Sequence, residues 1–241
     1  MTTIAANLQT VRQRIAAACT AAHRDVGEVQ LLAVSKTFGP DAVRAAHGCG
    51  QGAFGENYIQ EAVEKIALLA DLPLQWHCIG PVQSNKTRLV ASHFDWVHTV
   101  DRLKVAQRLS QQRPEGKPAL QVCIQVNVDG GPTKSGVAPR EVLALAREVA
   151  QLPNLALRGI MTIPEPCDDF EGQLAVHRRA RALFDELRAE GLALDTLSMG
   201  MTADLEAAIA AGSTMVRVGT AIFGARPKGA SRGAGERPDN S

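Results

Sequence analysis

Eight short apolar runs recur along this chain, each followed by a stretch with helical character. They lie at about 31–35, 52–55, 74–79, 95–99, 120–127, 157–163, 194–198 and 214–218. Strands joined by helices return parallel to one another, so this alternation predicts a parallel α/β sheet. Eight such units in 241 residues suit a single-domain closed (β/α)8 TIM barrel, which typically needs ~250 residues. An open doubly wound sheet is the runner-up, but no G-x-G-x-x-G follows the first run.

The intervening segments agree. Helices are expected over 40–48, from Ile59 through Val63 and Ile66, and over 84–92. Another begins behind Asp101, a plausible N-cap, and Pro139 suits the first turn of the next. Leu174, Leu183, Phe184 and Leu187 mark a long one, and the last follows Thr202. Residues 4–22 carry Ile4, Leu8, Val11, Ile15 and Cys19 on one apolar stripe. That helix precedes the first strand, so it is an extra N-terminal element outside the repeat. The barrel is expected to occupy residues 1–226. The remainder, 227–241, is rich in Gly, Pro, Ser and charge and is expected to be disordered.

Chemistry in such barrels sits at the C-terminal ends of the strands. Those ends supply Lys36 and Thr37, Glu56 and Asn57, His77 and Gly80, Asn127, Met161, Ser198 with Gly200, and Arg217 with Gly219. The strand bodies are apolar, so the pattern predicts one polar mouth above an apolar barrel. Lys36 closes the first run. A strand-end lysine can simply reach solvent, or it can be a desolvated amine that attacks an aldehyde. Ser198-Met199-Gly200-Met201-Thr202 and Arg217-Val218-Gly219-Thr220 follow strands seven and eight, where barrels commonly bind phosphate.

Composition narrows the partners. A net charge of +1 gives no electrostatic reason for nucleic-acid or membrane binding. No run approaches the ~18 apolar residues of a spanning helix, and no leader pattern opens the chain, so a cytoplasmic protein is expected. Cys19, Cys49, Cys78, Cys123 and Cys167 are dispersed and odd in number, which argues against a disulfide framework or zinc site. His93 and His98 lack the i, i+4 spacing of a helical metal pair, and no metal is expected.

Several segments together resemble the pyridoxal-phosphate homeostasis protein family, also called the YggS or proline-synthetase co-transcribed family. They are Ala33-Val34-Ser35-Lys36-Thr37, Phe54-Gly55-Glu56-Asn57-Tyr58-Ile59-Gln60-Glu61, and Trp76-His77-Cys78-Ile79-Gly80 with Gln83-Ser84-Asn85-Lys86. Lys134-Ser135-Gly136, Gly159-Ile160-Met161-Thr162-Ile163, Leu197-Ser198-Met199-Gly200-Met201 and Val216-Arg217-Val218-Gly219-Thr220-Ala221-Ile222-Phe223-Gly224 continue the match. The resemblance spans about residues 5–226. Cys78, where an aromatic is usual, and a loop at 129–133 without its common acidic residue depart from the pattern.

The resemblance implies a barrel like that of the alanine racemase N-terminal domain and pyridoxal 5′-phosphate as cofactor. It implies that Lys36 forms the Schiff base and that Ser198, Gly200, Gly219 and Thr220 hold the phosphate. Arg217 is expected beside the pyridine nitrogen, with Asn57, His77 and Met199 lining the pocket. An arginine there keeps its proton and leaves the ring nitrogen unprotonated, a poor electron sink.

Two functions compete: a carrier that buffers and delivers the cofactor to apo-enzymes, and an amino-acid racemase. A barrel isomerase acting on a sugar phosphate is a third. Racemisation needs a second base opposite Lys36, and Tyr58 is the only tyrosine, at a helix start. The carrier reading is preferred, as a monomer or weak dimer. Lys86 and Lys134 are read as solvated loop lysines.

Overall fold

The computed structural model describes residues 3–130 and 135–225. Eight parallel strands close into one barrel in chain order. They are β1 (Gln30–Val34), β2 (Ala53–Glu56), β3 (Gln75–Cys78), β4 (Trp96–Val100), β5 (Leu120–Val126), β6 (Leu155–Thr162), β7 (Thr196–Ser198) and β8 (Met215–Val218). The seam is closed by β8 against β1, with Gln30 opposite Met215 and Ala33 opposite Val218. The expected TIM barrel is therefore present. Lys134 and the tail 227–241 lie outside the described residues.

The outer helices are α2 (Pro40–Gly48), α3 (Ile59–Leu68), α4 (Thr87–His93), α5 (Leu103–Gln112), α6 (Pro139–Ala150), α7 (Phe170–Ala189), α8 (Leu205–Ala210) and α9 (Thr220–Phe223). Before them comes α1 (Ile4–Ala21), whose N-cap Thr3 accepts from Ala6 N. The stripe seen in the sequence is its buried face: Leu8, Val11, Ile15 and Cys19. This helix packs on α8 and α9, and Asn7 Nδ2 donates to Ile222 O at 2.8 Å. It thus ties residues near the start of the chain to the last turn of the barrel.

Side chains alternate across each strand, one set toward the helices and the other toward the barrel axis. Ala33, Phe54, Val97, Val122, Ile160 and Val216 belong to the large apolar layer beneath the helices. Inside the barrel, Leu32, Val34, Ala53, Ile79 and Met215 form one small cluster, and Trp96, Cys123 and Met161 another. His77, His98, Ser198 and Arg217 are buried beside them. The barrel axis is therefore not wholly apolar.

Boundaries moved where a short strand turns. β1 ends at Val34, one residue before the expected end, and β2 includes Glu56. β7 starts at Thr196, not Leu194, because its ladder to β6 begins with Gly159 opposite Thr196. The last expected helix starts at Leu205 behind Asp204, three residues later than Thr202. α9 was not anticipated at all; four residues are too few to display a helical period.

Candidate functional site

The C-terminal end of the barrel carries a cavity of about 340 Å3. Its wall includes Lys36, Thr37 and Phe38 after β1, Asn57 after β2, and Ile79 after β3. Ile163 follows β6 and Met201, Thr202 and Ala203 follow β7. Arg217, Gly219 and Thr220 complete it from β8 and the turn behind it. Strand ends far apart in sequence thus meet around one space, within the ~300–1,000 Å3 usual for small-molecule sites.

Lys36 is placed by the residue before it. Ser35 N bonds to Gly55 O at 3.0 Å, which extends the β1 ladder, and Phe38 N returns to Ser35 O at 3.1 Å. Thr37 takes the left-handed conformation at φ 67°, uncommon for a β-branched residue. Beneath this turn lies a buried ion pair that the sequence reading did not find. Lys65 Nζ donates to Glu56 Oε1 at 2.6 Å and to Ser35 O at 3.0 Å. The Ser35 hydroxyl donates to the same Glu56 oxygen at 2.6 Å. Burial pushes the Glu56 carboxyl above its ordinary range, against the pull of Lys65 and Ser35. Lys65 therefore clamps the backbone next to Lys36.

Arg217 lines the cavity from β8, the strand paired with β1, in register with Leu32. It is 4 % exposed, and its guanidinium donates to Ser198 Oγ and to Thr162 O, both at 2.8 Å. Neither partner is charged. Burial lowers its pKa to about 10, so it stays protonated at neutral pH. The described cavity wall contains Lys36 and Arg217 but no Asp or Glu. Such a wall favours an anionic ligand.

Two buried polar atoms of the wall, Thr37 Oγ1 and Asn57 Oδ1, have no hydrogen-bond partner. An unsatisfied buried polar atom is costly, so these two positions fit a ligand that completes them. Hydroxyls of Thr202 and Thr220 border the same space. Asp204 holds the Thr202 loop: its Oδ1 accepts from Met201 N at 2.6 Å and its Oδ2 contacts His177 Nε2 at 2.9 Å. Burial pushes the Asp204 carboxyl up, but His177 and the Met201 N–H outweigh it and hold it below the ordinary value.

Of the residues the sequence singled out, Lys36, Asn57, Arg217, Gly219 and Thr220 meet in the wall. His77, Met199, Ser198 and Gly200 are not part of it. His77 is buried on the barrel axis, stacked on Trp96 with ring centroids 5.2 Å apart. Met199 belongs to the apolar layer under the helices. Ser198, expected at the phosphate, has its hydroxyl between His98 Nδ1, at 2.9 Å, and Arg217. Gly200 makes the turn out of β7 at φ 94°, where an added Cβ would sit 2.5 Å from Ala208 Cβ. Thr202 is the polar wall residue of that loop, four positions beyond Ser198. Its signal was its place after the strand, outside the ladder.

A closed parallel barrel with a lysine after its first strand and a buried arginine in its last defines a class. Residues 3–227 match the family model described as alanine racemase, N-terminal domain. A protein of Pseudomonas aeruginosa named pyridoxal phosphate homeostasis protein is 60% identical over 230 residues, covering 95% of this chain and 99% of that protein. One of Escherichia coli with the same name is 52% identical, covering 94% and 98%. The structure of PipY of Synechococcus elongatus with PLP bound superposes with a TM-score of 0.80 at 39% identity, covering 92% of this chain and 100% of that one. Alanine racemase from Corynebacterium glutamicum shares the fold, with a TM-score of 0.68 at 20% identity over 62% of its length. This chain belongs to the pyridoxal phosphate homeostasis protein family.

Proposed function

We propose that this chain binds pyridoxal 5′-phosphate at the barrel mouth and acts in the cytoplasm as its carrier, handing it to apo-enzymes. The observation that carries this is the wall itself: two cations, no carboxylate, and two orphaned polar atoms around about 340 Å3. When bound, the cofactor supplies an aldehyde that condenses reversibly with an amine, losing water. Lys36 offers that amine from a turn clamped by Lys65. Arg217 holds its proton and donates, so a ring nitrogen facing it stays an acceptor. Thr202 and Thr220 offer hydroxyls to the phosphate, with the Gly219 turn between β8 and Thr220.

The carrier reading is favoured over racemisation by the position of Tyr58. It is 48% exposed and outside the cavity wall. Besides Lys36 the described wall carries no His, Cys, Tyr, Asp or Glu, and racemisation by two bases needs a second base. Unpaired cysteines at all five positions suit a reducing compartment.

Borohydride reduction followed by peptide mapping tests the site. The label is expected on Lys36, with loss of the visible band in Lys36→Ala. A label on Lys86 or Lys134 with Lys36 unmodified would overturn the assignment. Exchange of amino-acid α-protons in deuterium oxide tests the role. Exchange at enzymatic rates, about 1–10³ per second, would favour the racemase instead.

A further inference from the structure

A line of polar side chains runs down the barrel axis beneath the cavity. Arg217 donates to Ser198 Oγ at 2.8 Å, and Ser198 Oγ lies 2.9 Å from His98 Nδ1. His98 Nε2 lies 2.9 Å from His77 Nδ1, and His77 Nε2 lies 3.0 Å from Gln75 Oε1. Gln75 opens β3 and is exposed at the other end of the barrel. The four residues between Gln75 and the cavity are buried.

The direction of this line is set from its Gln75 end. The Gln75 carbonyl oxygen only accepts, so His77 Nε2–H donates to it, and on a neutral ring His77 Nδ1 then accepts. His98 therefore donates from Nε2, and its Nδ1 accepts the Ser198 proton. A guanidinium donates and never accepts, so Ser198 Oγ in turn accepts from Arg217. Both imidazoles are neutral in this arrangement. Burial agrees, lowering the His77 pKa to about 3 and the His98 pKa well below its ordinary value. In His98 the positive charge of Arg217 adds to burial. Cys123, buried nearby, is pushed to about 12 and carries no charge at neutral pH.

We infer that His98 is a positioning residue for Arg217, acting through Ser198, and that His77 and Gln75 fix the tautomer that lets it do so. Were the His98 proton on Nδ1, the Ser198 hydroxyl would lose this acceptor, and the rotation that fixes its lone pairs toward Arg217 would no longer be set. With the line intact, the guanidinium is held in one plane at the cavity floor. The inference rests on the proposed cofactor site for its consequence, but the direction of the line stands on this chain alone.

The first measurement uses the wild-type, cofactor-free chain. Long-range 15N–1H NMR should show both His77 and His98 as Nε2–H tautomers that stay neutral down to about pH 5, below the ordinary histidine range. An Nδ1–H tautomer at His98, or titration of either ring near pH 6.5, would overturn the inference whatever the cofactor does. The second compares His98→Leu with His98→Gln, whose amide can accept from Ser198 and donate to His77. His98→Leu should shift the visible band of the bound cofactor and weaken its binding about tenfold, a charge-assisted bond's worth. His98→Gln should restore both. Unchanged spectra and affinity in a folded His98→Leu would overturn it. Failure of His98→Leu to fold leaves the tautomer measurement decisive. Loss of the Lys36 label would instead remove the cofactor site and leave the tautomers as stated.

Discussion

The cavity wall and the layer just beneath it come from the same strand ends, yet they treat polar groups in opposite ways. In the wall, Thr37 Oγ1 and Asn57 Oδ1 lack partners and two cations face an open space. One layer down, Lys65 is spent on Glu56 and Ser35, and Ser198 is spent on His98 and Arg217. Thr162 Oγ1 and Trp96 Nε1 are the exceptions in that lower layer. Polar character alone therefore does not mark the ligand site. What marks it is polar character left uncommitted by the protein, as at Thr37 Oγ1 and Asn57 Oδ1, whereas Lys65 and Ser198 are spent within the fold.

The largest expected effect would break the division at the lysines. Lys65→Met leaves Glu56 buried without its cation and should cost about 3–5 kcal/mol in urea unfolding, since both groups are buried. Most of that should return in the double variant Glu56→Leu with Lys65→Met. Lys36→Met should abolish the borohydride label and cost less stability than Lys65→Met, because Lys36 is only half-buried. Equal destabilisation by the two lysine variants would erase the contrast.

A smaller effect separates the two hydroxyls near β7. Thr202→Val should weaken the phosphate ester by about 1.5–3 kcal/mol, roughly ten- to a hundredfold, and leave pyridoxal unaffected. Ser198→Ala should weaken both ligands alike, because it acts through Arg217. Calorimetry with the two ligands distinguishes these outcomes, and a phosphate-selective loss in Ser198→Ala would return Ser198 to the wall.

Thr37→Val should change the cofactor-free stability little, or raise it by up to about 1 kcal/mol, because an unsatisfied hydroxyl is removed at constant shape. Ligand affinity should fall. A clear loss of stability without ligand would show that Thr37 Oγ1 already has a structural role.

The smallest effect concerns pH. The Asp204 carboxyl is held below its ordinary value in the fold. It therefore adds stability above the unfolded carboxyl pKa, about 3.9, and that part is lost as pH falls through the lower folded value. The acid limb of the stability curve should be shallower in Asp204→Asn. An identical limb would mean that the His177 contact does not survive in solution.

Much of the barrel could be read from the chain because strand bodies and helix stripes repeat. Lys36, Asn57, Arg217, Gly219 and Thr220 were legible for the same reason, as each falls at or just past a strand end. His77 and Ser198 also fall near strand ends, but they point along the axis. Alternation carried a hint: Gln75, His77 and Ile79 share one face of β3. What the alternation could not supply is depth, which depends on register with β4 and β7. The Glu56–Lys65 pair was hidden differently. Its residues lie on a strand and the following helix, and only the folded turn brings them together. α9 left no period to read.

The strap from α1 to the last turn has a consequence for how the site comes into being. Asn7 waits for Ile222, 215 residues later, and β1 waits for β8. A ribosome delivers Lys36 well before Thr220. Half a barrel offers Lys36 no neighbouring β8 and so no Arg217, and no partial version of this cavity exists on an unfinished chain. Contacts this distant in sequence are also the slow ones to form. Loading with ligand is therefore an event of the completed fold, and a ligand that bridges Lys36 to the Gly219 turn would staple the seam that closes last.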